Sequence, residues 1–262
     1  MLEITQIPVL QDNYSYLLVD SETGESAVID PSEPRPIFEL LKKRGIRPDF
    51  VLNTHHHWDH TGANLALQQE FGAQVVGPQP DQNRIPGFTR GISDGEPFRL
   101  GRSELIALYV PGHTMGHTAY YSAEAEALFC GDTLFTLGCG FLFEGTPQLM
   151  WASLEKLRLL PGATRVFCGH EYTLESAEFA LHFDGENRAL QEYVARARQL
   201  AAAGKPTVPS TMAEERAANP FLRSDDPAIK QKLGLAGAED WRAFGEIRRL
   251  KNEFDDAKKA AQ

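Results

Sequence analysis

Within seven consecutive residues, Thr54-His55-His56-His57-Trp58-Asp59-His60, three imidazoles and a carboxylate can be aimed at one point. Metal ligation accounts for such a density of ligand-type side chains better than any structural need. The preceding Asp49-Phe50-Val51-Leu52-Asn53 reads as a short buried strand. The cluster therefore lies where a strand ends and a loop or helix begins, the position at which α/β folds keep their chemistry.

A two-metal site needs more ligands than this cluster supplies. The rest of the chain offers them in matching settings. His113 follows the apolar run Leu105 to Val110, Asp132 follows Ala127-Leu128-Phe129 in Cys130-Gly131-Asp132, and His170 follows Val166-Phe167 in Cys168-Gly169-His170. Glycine before the ligand lets the backbone turn and come close to an ion. Taken alone, an aspartate after a strand is usually a turn former, and a lone histidine is usually structural. Beside the histidine cluster the balance reverses, and a metal site is the expectation. His56 is assigned a structural role, because its neighbours on both sides are better placed and side chains alternate at a strand end. His117 is expected to be structural or to support a ligand. His182 is expected on a helix far from the cluster, in solvent.

The elements that must position these residues are strand- and helix-like in alternation. The N-terminal twenty residues read as a strand pair, with Tyr14 to Val19 and Ser26 to Ile29 as neighbouring strands. Pro36 to Arg44, Asn64 to Phe71 and Pro147 to Leu159 read as helices. Phe50 to Asn53, Val75-Val76, Leu105 to Val110, Ala119 to Ser122, Ala127 to Cys130 and Arg165 to Cys168 read as strands. Pro78 to Pro97, rich in Gly, Pro and Asp, reads as a surface loop. After about Thr173 the pattern turns helical. Leu190, Tyr193, Val194 and Ala197 form one stripe, stopped by Gly204 and Pro206. Thr211 and Glu214 make a capping box for a short helix ending before Pro220, and a last helix runs from about Ala238 to Ala257. The fold class expected is α/β: an α/β domain over 1–173 followed by a small helical domain over 174–262.

Bulk properties narrow the function. The chain has 262 residues, is 42% hydrophobic and carries a formal net charge of −10, which disfavours an electrostatic nucleic-acid binder. The N-terminus lacks a basic region followed by an apolar core, and no apolar run is long enough for a membrane span. Cys130, Cys139 and Cys168 are odd in number and lack framework spacing, so a reducing, cytoplasmic setting is the expectation. A monomer is expected.

The set His55-x-His57-x-Asp59-His60, His113, Asp132 and His170 resembles the metal set of the metallo-β-lactamase fold superfamily, an αββα sandwich with a binuclear site at one edge. A narrower resemblance spans the chain. Pro8-Val9-Leu10-x-Asp12-Asn13-Tyr14, Gly138-Cys139-Gly140, Phe143-Glu144-Gly145-Thr146, Gly169-His170-Glu171-Tyr172-Thr173, Asn219-Pro220-Phe221-Leu222-Arg223 and Arg248-Arg249-x-Lys251-Asn252-x-Phe254 resemble the glyoxalase II (hydroxyacylglutathione hydrolase) family. That resemblance implies hydrolysis of S-D-lactoylglutathione and related 2-hydroxyacylglutathiones to D-lactate and glutathione by a bridging hydroxide. It implies one metal on His55, His57 and His113, a second on Asp59, His60 and His170, and Asp132 as the bridge, with Asp59 and Asp132 catalytic. Zinc is the default ion, with iron or manganese acceptable. Glutathione contacts map to Tyr172, Arg248 and Lys251. Phe141 stands where the family often has Lys or Arg, and Phe143 where it often has Tyr.

Two features bear on substrate without the family. On the last helix Phe244, Ile247, Leu250 and Phe254 share one arc, Lys251 falls inside it, Arg248 lies just beyond its edge, and Arg249 faces solvent. Cations on or beside an apolar face need a partner, and an anionic substrate would supply one. The motif region offers no dedicated acid, which favours a thiolate leaving group over an amine. The rival readings are a persulfide dioxygenase with a single iron, another hydrolase of the same fold, and a non-catalytic metal-dependent binding protein.

Overall fold

The computed structural model describes residues 1–260. Two six-stranded sheets stack face to face. In the first the order is Leu2–Val9, Asn13–Asp20, Ser26–Ile29, Phe50–Leu52, Gln74–Pro78, Phe88–Ile92, antiparallel at the start and parallel from Ser26–Ile29 onward. In the second it is Ser210–Thr211, Arg165–Cys168, Ala127–Gly131, Thr118–Ser122, Ser103–Tyr109, Pro97–Leu100, with one parallel pair, Ala127–Gly131 beside Arg165–Cys168.

Side-chain alternation explains the layering. Along Asn13–Asp20 every residue is buried, because both faces of the strand are covered. Tyr16 and Leu18 point into the core between the sheets, with Ile29, Leu52 and Val76, and meet Tyr120, Leu128 and Val166 of the second sheet. Leu17 and Val19 point the other way, with Val28, Val51 and Val75, and are covered by Ile37, Leu41 and Leu67 of the Pro34–Arg44 and Asn64–Phe71 helices. Beyond the second sheet lie the Pro147–Arg158 helix and the last helix, Asp240–Ala260, which bring Trp151, Leu154, Phe244 and Ile247 into the same core. The result is an αββα sandwich with a helical C-terminal segment.

The expected capping box is present: Thr211 caps Glu214 and Glu214 reaches back, opening the Met212–Ala218 helix. The loop expected over Pro78 to Pro97 is corrected. Phe88–Ile92 is a strand that closes the edge of the first sheet beside Gln74–Pro78. Its Thr89 and Arg90 are exposed, so the polar composition reflects an edge strand rather than a loop. The helix Thr173–Asp184 starts three residues after His170. The last helix begins at Asp240 rather than Ala238.

Candidate metal centre

Four chain segments leave their strands at one edge of the sandwich and deliver side chains to one spot. Thr54 to His60 follows Phe50–Leu52, His113 follows Ser103–Tyr109, Asp132 follows Ala127–Gly131, and His170 follows Arg165–Cys168. The two glycines before Asp132 and His170 are required by geometry. Gly131 has φ of 47°, and a Cβ there would lie 2.4 Å from Thr54 Oγ1. A Cβ on Gly169 would lie 2.3 Å from Asp132 Oδ1.

The seven expected ligands come together. His55, His57 and His113 form one group whose ligand atoms lie within 4.8 Å of one another, and Asp59, His60 and His170 form another. Asp132 lies between the groups, its Oδ2 at 3.5 Å from His113 Nε2 and 3.4 Å from His170 Nε2, its Oδ1 at 3.4 Å from His60 Nε2. His55 Nε2, His60 Nε2 and Asp132 Oδ1 are buried with no hydrogen-bond partner. Buried polar atoms are normally satisfied. Three orphans converging on one point, each able to offer a lone pair once His60 gives up its Nε2 proton, fit a cation.

The rings are fixed from behind. Asp30 is buried, and its Oδ1 accepts the Thr54 N–H at 2.7 Å while its Oδ2 accepts the Thr54 hydroxyl at 2.6 Å and faces His60 Nδ1 at 3.0 Å. His170 Nδ1 faces Asp12 Oδ1 at 2.9 Å, and His113 Nδ1 donates to the Phe141 carbonyl at 2.8 Å. In each case the ring nitrogen turned away from the centre carries the proton, leaving Nε2 free to ligate. Asn13 Nδ2 donates to Asp59 Oδ2 at 3.0 Å. Sequence reasoning did not assign roles to Asp12, Asn13 and Asp30. For Asp30 the available signal was only an acidic residue directly after the Ser26–Ile29 strand, without the Cys-Gly that precedes Asp132.

The electrostatics divide the site. Burial, reinforced by neighbouring imidazoles, holds His55 well below the usual histidine range and His57 down to about 4. Burial also lowers His113. Burial opposes the charge on His60 and His170, yet Asp132 together with Asp30 at His60, and together with Asp59 at His170, outweighs it, raising His60 and pushing His170 up to about 10. Asp132 and Asp59 are held low despite burial, chiefly by those two imidazoles. Without a cation, protons on His60 and His170 balance the carboxylates.

The other histidines are placed outside the ligand groups. His56 Nδ1 lies 3.0 Å from Asp81 Oδ2. His117 stacks on His55 with ring centroids 4.7 Å apart, and its Nε2 accepts the Asp132 N–H at 3.1 Å. His182 is exposed on the Thr173–Asp184 helix, against the Phe254 ring.

A cleft of about 420 Å³ opens over the centre, floored by Asp59, Asp132 and His170 and walled by Phe141, Phe143 and Tyr172. Tyr172 stacks on His170 at 4.6 Å, and Phe143 sets its edge against His57 and His113. Arg248 and Lys251 are buried but do not line this cleft. Arg248 donates to the Cys139 carbonyl at 3.3 Å and to Asn252, and lies over the Phe221 ring. Lys251 pairs with Asp255. Arg249 is exposed and paired with Glu246 and Glu253. Among the described residues, no helix is long and apolar enough to cross a membrane.

Comparison with known proteins agrees with this architecture. Residues 10–170 match the family model for the metallo-beta-lactamase superfamily. The crystal structure of ETHE1 from Myxococcus xanthus shares the fold, with a TM-score of 0.68 at 23% identity over 94% of this chain and 90% of that one. TTHA1623, solved in a di-iron-bound form, gives a TM-score of 0.60 at 27% identity over 84% of this chain and 100% of that one. Sheet pair and histidine edge together thus define a metallo-β-lactamase fold. Residues 171–254 match the family model for the hydroxyacylglutathione hydrolase C-terminus. A hydroxyacylglutathione hydrolase of Methylococcus capsulatus is 52% identical over 97% of this chain and 99% of its own length, and one of Maricaulis maris is 48% identical over 97% and 99%. The chain belongs to the hydroxyacylglutathione hydrolase family.

Proposed function

We propose that the protein hydrolyses the thioester of 2-hydroxyacylglutathiones, with S-D-lactoylglutathione as the reference substrate. The supporting observation is the convergence of seven ligand-type side chains on a point where three buried lone-pair donors are unpartnered, in a chain of this family. His55, His57 and His113 would hold one divalent ion, Asp59, His60 and His170 a second, and Asp132 would bridge them. Zinc suits a His/Asp donor set, and iron or manganese would also be accepted. Bound there, the ions would supply a Lewis acid for the thioester carbonyl and lower the pKa of a shared water to about 7.

The chain's own residues do the positioning. Asp59, fixed by Asn13, orients the attacking water. Water adds at the acyl carbon, the carbon–sulfur bond breaks, and sulfur leaves with the bonding electrons. A thiol has a pKa near about 8.5, so the thiolate departs without a general acid. Phe141, Phe143 and Tyr172 wall the cleft against the apolar parts of the substrate, and Arg248 and Lys251 are the cations nearest in sequence pattern to a carboxylate-binding pair. At present Arg248 holds the Cys139 carbonyl and Lys251 the Asp255 carboxylate.

The test is loss of thioester absorbance with S-lactoylglutathione, using protein of measured metal content. Wild type should turn over and Asp132→Ala should not. Undiminished turnover by Asp132→Ala would remove the binuclear assignment. Oxygen consumption with glutathione persulfide, in protein holding one iron, would instead favour a dioxygenase.

A further inference from the structure

Between the metal centre and the helical segment lies a two-stranded hairpin, Leu134–Phe135 paired with Gly138–Cys139. On one side it abuts the ligands. A Cβ on Gly140 would lie 1.9 Å from the Asp132 carbonyl oxygen and 3.1 Å from His113 Nδ1. The next carbonyl, that of Phe141, accepts the His113 Nδ1 proton at 2.8 Å. The path of this hairpin therefore sets both the tautomer and the ring orientation of a candidate ligand.

On its other side the hairpin is held by residues more than seventy positions later. Asn219 Nδ2 shares its two hydrogens among three acceptors: the carbonyls of Phe135 at 3.2 Å and Gly138 at 3.0 Å, and Glu215 Oε2. Glu215 Oε2 accepts the Leu137 N–H at 2.9 Å and an Asn219 amide hydrogen at 2.9 Å. Asn219 Oδ1 accepts the Phe221 N–H at 3.0 Å, so its amide is used at both ends. Glu215 and Asn219 have no solvent exposure. Leu137, at the turn, has φ of 59°, a left-handed conformation that an L side chain adopts only when its surroundings impose it.

We propose that Glu215 and Asn219 are positioning residues: they clamp the 134–140 hairpin so that the Phe141 carbonyl holds His113 in the ligating tautomer and Gly140 stays against Asp132. The role of Glu215 in this clamp is that of an acceptor. Its Oε1 and the buried Ser210 Oγ have no other hydrogen-bond partner and face one another. Around it stand Ser210, the Glu214 carboxylate, the Tyr193 phenol and the Cys130 and Cys168 thiols, none of them a cation. Burial pushes the carboxyl up to about 7.

This inference rests on the metal-centre reading, and its test separates the two. Glu215→Gln keeps the acceptor and carries no charge at any pH. Glu215→Ala and Asn219→Ala remove the clamp. Three quantities are measured: kcat and KM for S-lactoylglutathione, release of bound metal to a chromophoric chelator, and the His113 Nδ1 proton resonance. Loss of a buried hydrogen bond of this kind should lower kcat and speed metal release by on the order of tenfold. In the alanine variants KM should stay within about twofold and the His113 resonance should broaden or shift. Glu215→Gln should match wild type in all three. Folded alanine variants with wild-type release rates and an unchanged His113 signal would overturn the clamp. So would a tenfold loss in Glu215→Gln, since the acceptor is still there. If an alanine variant does not fold, the Glu215→Gln comparison and an Asn219→Ser variant decide it on the same readouts. A wild type that binds two metals but leaves S-lactoylglutathione intact would count against the proposed function alone, because release rates and the His113 signal do not depend on substrate.

Discussion

Asp30 and His60, thirty positions apart, meet at 3.0 Å between Oδ2 and Nδ1. The same carboxylate oxygen takes the Thr54 hydroxyl at 2.6 Å, and the other takes the Thr54 N–H at 2.7 Å. One buried side chain thus fixes both the start of the histidine segment and its last ligand. Supporting carboxylates behind a ligating histidine are worth roughly 10- to 100-fold in metal affinity or activity. Asp30→Ala should lose metal to a competing chelator in that range, and Asp30→Asn should lose less. Equal affinity in wild type and Asp30→Ala would show that Thr54 and the surrounding packing orient His60 unaided.

Metal uptake should release protons. In the metal-free protein Asp132 and Asp59 together raise His170 to about 10, against burial, and His60 is raised as well. A divalent ion must displace those protons before the rings can ligate. Affinity should therefore rise with pH through the neutral range. Calorimetric titration at pH 7 in two buffers of different ionisation enthalpy should show a net release. The sign for stability follows the same shift. His170 stabilises the metal-free fold fully below its unfolded value of 6.5, and that contribution is lost as pH rises towards about 10. The loaded protein should not show this alkaline loss.

The candidate metal centre was legible because its candidate ligands fall in short segments with a common form. A dense His/Asp run and two Cys-Gly-ligand triplets sit after apolar strands, and each pattern carries its own geometric reason. Asp30 and Asp12 carry no such mark. Each is a single acidic residue after a turn or strand, and its partner lies far along the chain. The Phe88–Ile92 strand was hidden by its exposed Thr89 and Arg90, since an edge strand buries too little to alternate. The Thr173–Asp184 helix buries Ser176, Ala177 and Ala180 beside Phe179 and Phe183, and small residues blur an apolar stripe. For Arg248 and Lys251 the helical arc located two cations against the protein, but not the partners that satisfy them. A carbonyl from residue 139 and a carboxylate one turn away on the same helix answer a need the sequence could only pose.

Phe141 is 46% exposed and Phe143 63% exposed at the mouth of the cleft. Their rings touch at 4.9 Å between centroids. No cation or hydroxyl at these two positions is available to a glutathione carboxylate or amide. Phe141→Lys should therefore lower KM for S-lactoylglutathione several-fold, an exposed charge contact being worth up to about 1 kcal/mol, with kcat little changed. The gain should shrink in high salt. A non-glutathione thioester with an apolar thiol should respond in the opposite direction. Steady-state kinetics on both substrates at two salt concentrations checks this, and a uniform change in both would show that residue 141 acts on the metal centre through its carbonyl instead.

Glu215 makes a separate prediction about stability and pH. Burial raises its carboxyl from 4.5 to about 7, so between those values the folded protein keeps a proton that the unfolded chain gives up. Stability contributed by this group then falls as pH rises through that window, the reverse of a salt-bridged carboxylate. Full ionisation would cost at most about 3 kcal/mol. Glu215→Gln cannot ionise and should be free of this slope. Denaturant unfolding of metal-loaded wild type and Glu215→Gln between pH 5 and pH 8, conditions covering most of the window of about 4.5 to 7, should give a difference that grows with pH in favour of the amide. The comparison cancels the metal ligands' own titration, which both proteins share. A difference that stays flat across the range would mean that Glu215 is ionised throughout, with a cation or water meeting Oε1.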